Sequence, residues 1–289
     1  HHFTCRQLEK ETSHKYFLVD NGTLRPESIL YMRNVAFELK KITGFSVTPC
    51  GIMHSHKVDA SKLDGQPGMS MESFFLSNEA EVVKNLSFLP MFLGPSLAIT
   101  DWLPEKLTQW SQNGNNRKFS IADCLFQKKD IRIAKALAEY VVDLIPQYSP
   151  QKPFVILVDH GTPLPEVNQV REEIGCFLEE KLGNQISGFS TACMERREGK
   201  EYDFNDPLLE TLLEDKKVSD GSCVILAQLF LAPGRHAGPD GDITQICTPF
   251  LNEGMKIAKT PTLGNHPLIL EILAERLEQL VIKSKSPRC

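Results

Sequence analysis

The feature that most constrains the fold of this chain is an internal repeat. Val-Asp-Asn-Gly-Thr at 19–23 recurs 139 residues later as Val-Asp-His-Gly-Thr at 158–162. Phe-Leu-Gly-Pro at 92–95 recurs 138 residues later as Phe-Leu-Ala-Pro at 230–233. Nearly constant offsets at separated places indicate a duplicated domain. Short apolar strands alternate with amphipathic helices in each copy, which predicts an α/β protein with two doubly wound parallel sheets.

The repeat also sets the expected domain boundaries. The Pro-rich stretch at 146–153 is the clearest linker in the chain. It predicts one lobe over 15–145 and a second over 154–289. A polar arm at 1–14 is expected before the first lobe. We expect each lobe to end in its own amphipathic helix. Within the lobes, residues 71–86 predict one helix and residues 224–231 a buried strand.

Composition excludes several classes of protein. With 41% hydrophobic and 24% charged residues, the chain resembles an ordinary globular protein, and its net charge of −5 argues against a nucleic-acid partner. No apolar run is long enough to span a bilayer, and the start carries no signal-peptide pattern. The eight cysteines include no CxxC pair, which predicts reduced thiols in the cytoplasm or an organelle matrix.

The two copies differ in their chemistry at the ends of two strands. His160 stands where the first copy has Asn21, and Gly-Arg-His at 234–236 stands where the first copy has Ser-Leu-Ala at 96–98. Carboxyl ends of neighbouring parallel strands meet at the sheet edge where such folds bind ligands. We therefore expect His160 and His236 to lie together. Two neutral imidazoles can bind Fe²⁺, Co²⁺, Ni²⁺ or Zn²⁺, or accept protons.

Charged residues are expected beside these histidines. Glu195 is the best auxiliary carboxylate, and the basic residues Arg196, Arg197, Lys200 and Arg235 could meet carboxylates on a ligand. No third conventional ligand stands nearby, so a closed structural zinc site is not expected. No Walker loop or GxGxxG motif suggests an organic cofactor. The simpler alternative remains two satisfied strand-end histidines and a solvated Glu195.

Three motifs together resemble a known family. They are His-Gly-Thr at 160–162, Pro-Gly-Arg-His-Ala at 233–237 with acidic residues behind it, and Leu-Gly-Asn-His-Pro-Leu at 263–268. This combination resembles the CbiX-type class II chelatases, the sirohydrochlorin cobaltochelatases and ferrochelatases of cobalamin and siroheme synthesis. The resemblance covers the C-terminal half, and the N-terminal half is similar to a degenerate copy. It implies two flavodoxin-like lobes with a tetrapyrrole in the cleft between them.

The resemblance implies a lyase that needs no organic cofactor. Its substrates would be a tetrapyrrole and a divalent ion such as Co²⁺, Fe²⁺ or Ni²⁺, and a monomer is expected because the fused lobes already form a cleft. His160 and His236 match the two metal-handling histidines of the family. The implied site consists of metal-binding and catalytic His160 and His236, assisting Glu195, and substrate-binding Arg235, Arg196, Arg197, Gly161 and Thr162.

Two departures and two rivals qualify this reading. In many two-lobed members the histidines lie in the first lobe, and the region 49–90 matches poorly. His54 and His56 form an HxH pair whose rings would share one side of a strand, although a polar loop is the simpler interpretation. His266 is expected to be structural at a helix start.

Two alternative functions remain. One is a non-catalytic metal or tetrapyrrole carrier, and the other is a serine hydrolase that uses Ser96 as its nucleophile.

Overall fold

The computed structural model describes residues 13–221 and 223–285. All but the last two residues of the predicted arm at 1–14 lie outside this part of the chain, and His14 already begins a strand. The chain forms two compact units. Of the described residues, 13–125 and 270–285 belong to unit 1, and 126–221 and 223–269 belong to unit 2.

Each unit contains a parallel sheet that has four strands among the described residues. The strands are β1 (His14–Asp20), β2 (Thr48–Gly51), β3 (Asn85–Pro90), β4 (Lys118–Ile121), β5 (Phe154–Asp159), β6 (Gly188–Cys193), β7 (Cys223–Gln228) and β8 (Lys256–Lys259). The strand order is β2-β1-β3-β4 in unit 1 and β6-β5-β7-β8 in unit 2. Both orders are those of a doubly wound sheet, so the predicted fold class is confirmed.

Helices connect the strands and cover the sheets. They are α1 (Pro26–Thr43), α2 (Met71–Phe75), α3 (Asn78–Val82), α4 (Leu103–Gln112), α5 (Arg132–Leu144), α6 (Pro165–Leu182), α7 (Leu209–Glu214), α8 (Lys216–Ser219), α9 (Gly234–Ala237), α10 (Asp242–Asn252) and α11 (Pro267–Lys285). The central strands are apolar and buried because helices pack on both of their faces; β7 is buried along its whole length. No helix in the described ranges is long and apolar enough to cross a membrane.

Backbone contacts show the repeat directly. Asp20 pairs with Gly51 in the first sheet, as Asp159 pairs with Cys193 in the second. The loops that follow are joined in the same way, because the N–H of Met53 donates to the carbonyl of Asn21 and that of Glu195 to the carbonyl of His160. Asn21 therefore corresponds to His160 and Met53 to Glu195.

The compact units do not coincide with the predicted lobes at 15–145 and 154–289. Helix α5 was expected to close the first lobe, but it packs against α6 and β7 of unit 2. The final helix instead joins unit 1, where the hydroxyls of Tyr16 and Ser284 lie 2.9 Å apart. An apolar stripe predicts that a helix is buried on one side but not which sheet covers it. The predicted linker at 146–153 consequently lies inside unit 2.

Two predicted elements are shorter than expected. The helix expected over 71–86 is split into α2 and α3, because the Ser77 hydroxyl accepts a hydrogen bond from the Ala80 N–H and caps a new helix. The strand expected over 224–231 ends at Gln228. Its last residues leave the sheet and lead toward α9.

Candidate active site

The candidate site lies in unit 2, at the carboxyl edge of the sheet. His160 directly follows β5, and Glu195 lies two residues after β6. His236 lies on the short helix α9, which follows β7. The three side chains therefore follow three neighbouring strands of the sheet. Ligands bind at this edge in open α/β sheets.

Gly161 lets the first two of these loops approach each other. Its φ is +98°, and a Cβ atom there would lie 1.8 Å from the carbonyl oxygen of Glu195. The Glu195 N–H donates to the His160 carbonyl across 3.0 Å. As a result, His160 Nε2 lies 2.8 Å from Glu195 Oε1, while Nδ1 lies 3.0 Å from the Gly161 carbonyl. Both side chains remain about half exposed to solvent.

His236 is held by Asp242, one of the acidic residues that follow the Pro-Gly-Arg-His-Ala motif. Asp242 is the first residue of α10, and its Oδ2 lies 2.7 Å from His236 Nδ1. Burial lowers the pKa of His236, the bond to Asp242 acts in the opposite direction, and nearby His160 lowers the pKa further. A neutral ring that donates Nδ1–H to Asp242 keeps the Nε2 lone pair available for a metal ion.

The two imidazoles face one another. Their centroids are 4.6 Å apart with an interplanar angle of 52°, and the Phe230 ring lies 6.2 Å from that of His236. Each imidazole has its own carboxylate, Glu195 for one and Asp242 for the other. The described residues contain no group of three or more His, Cys, Asp and Glu arranged to hold a metal ion. Imidazole nitrogens are suitable ligands for Fe, Ni, Cu and Zn ions.

Three of the predicted basic residues have different partners. The side chain of Arg235 is 66% exposed, and its Nε lies 3.7 Å from Asp242. Arg196 is held by ion pairs to Asp203 and Asp206, at 3.0 and 2.9 Å. Arg197 lies over the ring of Tyr202. Arg235 is therefore best placed among these residues to reach a ligand.

Thr162 takes part in the loop structure. Its N–H donates to Asn205 Oδ1 at 2.9 Å, and its hydroxyl accepts from the Leu164 N–H at 3.1 Å. Gly161 contributes backbone geometry and the carbonyl beside His160 Nδ1. Gly161 and Thr162 therefore contribute to the site by fixing the conformation of the loop that follows His160.

The other histidines considered from the sequence lie outside this cluster. His54 precedes a 3₁₀ turn at Ser55–Lys57, and His56 lies within it. Neither lies in a strand, so the strand geometry that would align their rings is absent. His56 Nδ1 lies 2.7 Å from the Ser70 hydroxyl. His266 Nδ1 accepts the Leu268 N–H at the start of α11, and Nε2 lies 2.6 Å from Glu139. These contacts fit a structural role for His266.

Ser96 lacks the partner that a hydrolytic nucleophile needs. Its hydroxyl is buried and forms no hydrogen bond with the described residues. A serine nucleophile requires a general base within hydrogen-bond reach. The geometry at Ser96 therefore does not support the hydrolase reading.

The second repeat matches a known family. Residues 154–280 match the CbiX family model. The second repeat is a CbiX domain. All four central side chains, His160, Glu195, His236 and Asp242, lie within the CbiX domain, and the first repeat lies outside the match. No curated protein matches this chain.

Solved structures extend the fold to the first repeat. SirB from Bacillus subtilis with Fe³⁺ has a TM-score of 0.67 at 12% identity, covering 94% of this chain and 97% of SirB. The sirohydrochlorin chelatase SirB from Bacillus subtilis subspecies spizizenii, in complex with cobalt, has a TM-score of 0.64 at 12% identity, with coverages of 94% and 96%. CbiX, described as the terminal enzyme for siroheme biosynthesis in denitrifying bacteria, has a TM-score of 0.57 at 11% identity, with coverages of 92% and 98%. At these identities the likeness shows a shared two-lobed chelatase fold.

Proposed function

We propose that this chain is a tetrapyrrole metal chelatase, a lyase that inserts a divalent ion into sirohydrochlorin or a related precursor. The observation that best supports this proposal is the pair of facing imidazoles in the CbiX domain, each beside its own carboxylate. The similar structures are of SirB with Fe³⁺ and of sirohydrochlorin chelatase SirB with cobalt. We propose Co²⁺ or Fe²⁺ as the metal substrate, with Ni²⁺ as a further candidate, in cobalamin or siroheme synthesis in the cytoplasm or an organelle matrix.

Charge balance determines what the protein must supply. A divalent ion enters the macrocycle as two pyrrole N–H protons leave, so the site must deliver the ion and accept protons. His236 is suited to the ion: Asp242 accepts Nδ1–H, and the lowered pKa of His236 keeps the ring neutral near pH 7. A neutral imidazole is the form that binds metal ions.

His160 and Glu195 are suited to the protons. Their contact of 2.8 Å lets a proton taken from the macrocycle be shared between imidazole and carboxylate. Both groups are about half exposed, so the proton can pass from them to water. Exposed Arg235 is then available for a peripheral carboxylate of the tetrapyrrole, which a guanidinium binds well.

Metal insertion into sirohydrochlorin tests this proposal. We expect the protein to accelerate the change in the visible spectrum after Co²⁺ or Fe²⁺ is added, and His160→Ala and His236→Ala each to abolish that acceleration. His56→Ala is the matched control, since it removes an imidazole that bonds to Ser70 in unit 1. Unchanged rates in both site variants would overturn the proposal. Tight stoichiometric tetrapyrrole binding by wild type without turnover would instead favour a carrier.

A further inference from the structure

A cavity in unit 1 lies beside a carboxylate that has no cationic partner among the described residues. The cavity has a volume of about 190 Å³, and Asp20 is among its lining residues. The Gly22 N–H donates to Asp20 Oδ1 at 2.9 Å, but within the described ranges no Lys, Arg or His lies within ion-pair distance of Asp20. Burial raises the pKa of Asp20 to about 6. Buried carboxylates in proteins are ordinarily paired.

The second repeat shows a partner for the corresponding carboxylate. Asp159 Oδ1 lies 3.2 Å from Arg171 Nη1, and the Arg171 side chain is fully buried. The same guanidinium donates to the Asn205 carbonyl at 2.9 Å and to Glu172 at 2.8 Å. A buried guanidinium thus satisfies the second copy of this carboxylate.

The first repeat lacks that guanidinium and has the cavity. Helices α1 and α6 each begin at a proline and have 18 residues, so Met32 occupies the position of Arg171 and Arg33 that of Glu172. The contact of the Thr162 N–H with Asn205 is replaced by one from the Thr23 N–H to the Ser55 hydroxyl. Met32, Arg33 and Ser55 all line the cavity, as Asp20 does. The empty volume is therefore bordered by the counterparts of the residues around the Arg171 guanidinium.

Arg33 does not replace the missing partner. Its Nη1 donates to the Leu63 carbonyl at 2.9 Å, and its Nη2 donates to the carbonyls of Gln66 and Pro67 at 2.9 and 3.3 Å. Gln66 and Pro67 are exposed and also line the cavity. The cavity can therefore be reached from solvent at this loop.

We propose that the cavity beside Asp20 binds a small guanidinium or amidinium cation, which takes the place of the arginine head group that the first repeat lacks. A planar guanidinium pairs with a carboxylate through two parallel hydrogen bonds and loses hydration more readily than an ammonium ion. The volume far exceeds the roughly 10–15 Å³ that one water molecule needs, so a short alkyl chain fits as well. Met32 supplies an apolar surface for that chain.

Titration of the full chain with methylguanidinium tests the proposal. The Gly22 and Gly51 amide resonances are followed at constant ionic strength, with methylammonium as the comparison cation. We expect saturable shifts, with methylguanidinium binding at least tenfold more tightly than methylammonium. Agmatine and an acetylated, amidated arginine serve as further probes. Tighter binding of agmatine indicates a free guanidino compound, and tighter binding of the arginine derivative indicates an arginine side chain of a peptide.

Three variants make the result decisive. Met32→Arg places a guanidinium on the chain itself and is expected to abolish binding, as is Asp20→Asn. Met32→Leu is the matched control because it leaves the carboxylate and an apolar wall, and it should bind within about twofold of wild type. If Asp20→Asn does not fold, Met32→Arg decides alone. Equal binding by wild type and Met32→Arg, or no saturable shift in wild type, overturns the proposal.

Discussion

The two repeats keep the same backbone contacts at their strand ends but carry different side chains there. A Cβ atom on Gly22 would lie 1.7 Å from the Met53 carbonyl oxygen, and one on Gly161 would lie 1.8 Å from that of Glu195. Both glycines have positive φ, and both loops are closed by an N–H bond to the residue before the glycine. The first repeat forms this loop with Asn21 in place of His160. The loop therefore does not need an imidazole, which argues for a chemical reason to have one.

The buried charges differ between the repeats as well. In the second repeat, Arg171 forms ion pairs with Asp159 and Glu172. In the first repeat, Met32 takes the position of Arg171, and no described residue supplies a cation to Asp20. The same position on one helix therefore decides between a filled ionic network and an open cavity. Each of these differences can be tested by substituting single residues at equivalent positions of the two repeats.

Arg171→Met should have the largest effect, because it gives the second repeat the residue of the first. Two carboxylates then lose their buried partner, which typically lowers the free energy of unfolding by about 3–5 kcal/mol. Urea denaturation measures the loss. Arg276→Met is the comparison variant, because it removes another buried arginine that forms no ion pair with the described residues. A loss below about 1 kcal/mol for Arg171→Met would show that the network contributes little.

Gly161→Ala and Gly22→Ala should each lower the free energy of unfolding by about 2–3 kcal/mol, because a side chain at positive φ meets a carbonyl oxygen. Their effects on metal insertion should differ. Displacing Glu195 changes its contact with His160, whereas displacing Met53 leaves the CbiX domain unaltered. Equal losses of insertion rate, measured at a temperature where both variants are folded, would contradict the assignment of the site to the second repeat.

Asp242→Asn should reduce the rate of metal insertion and the affinity for Co²⁺ by about 10–100-fold. An amide can donate to His236 Nδ1, which places the ring proton on Nε2 and blocks the nitrogen that we assign to the metal. Asp240→Asn is the matched control, since its carboxylate forms none of the hydrogen bonds around His236. If both variants retain wild-type Co²⁺ affinity, Asp242 does not orient the metal-binding ring.

The parts of this architecture that could be predicted are those with a local signature. The loops at 19–23 and 158–162 need glycine at one position, so the repeat is visible in the chain itself. Asp242 has an ordinary role as an acidic residue at a helix start, so nothing marks it as a histidine partner. Arg171 lies in a helix where most arginines are exposed. The exchange of α5 and α11 is equally hidden, because helical periodicity does not identify the sheet on which a helix packs.

The smallest expected effect concerns pH and Asp20. Its pKa is raised to about 6 in the folded chain, from 3.8, so the folded state binds the proton more tightly than the unfolded state does. This carboxyl group therefore stabilises the fold most at low pH and loses that contribution as pH rises through about 6. Through this proton linkage, the free energy of unfolding falls by roughly 1 kcal/mol between pH 5 and pH 7. Asp20→Asn should remove this slope from urea denaturation curves, and so should Met32→Arg, by supplying a cation. If wild type and both variants show the same slope, Asp20 already has a partner when folded, and the contrast with Asp159 fails.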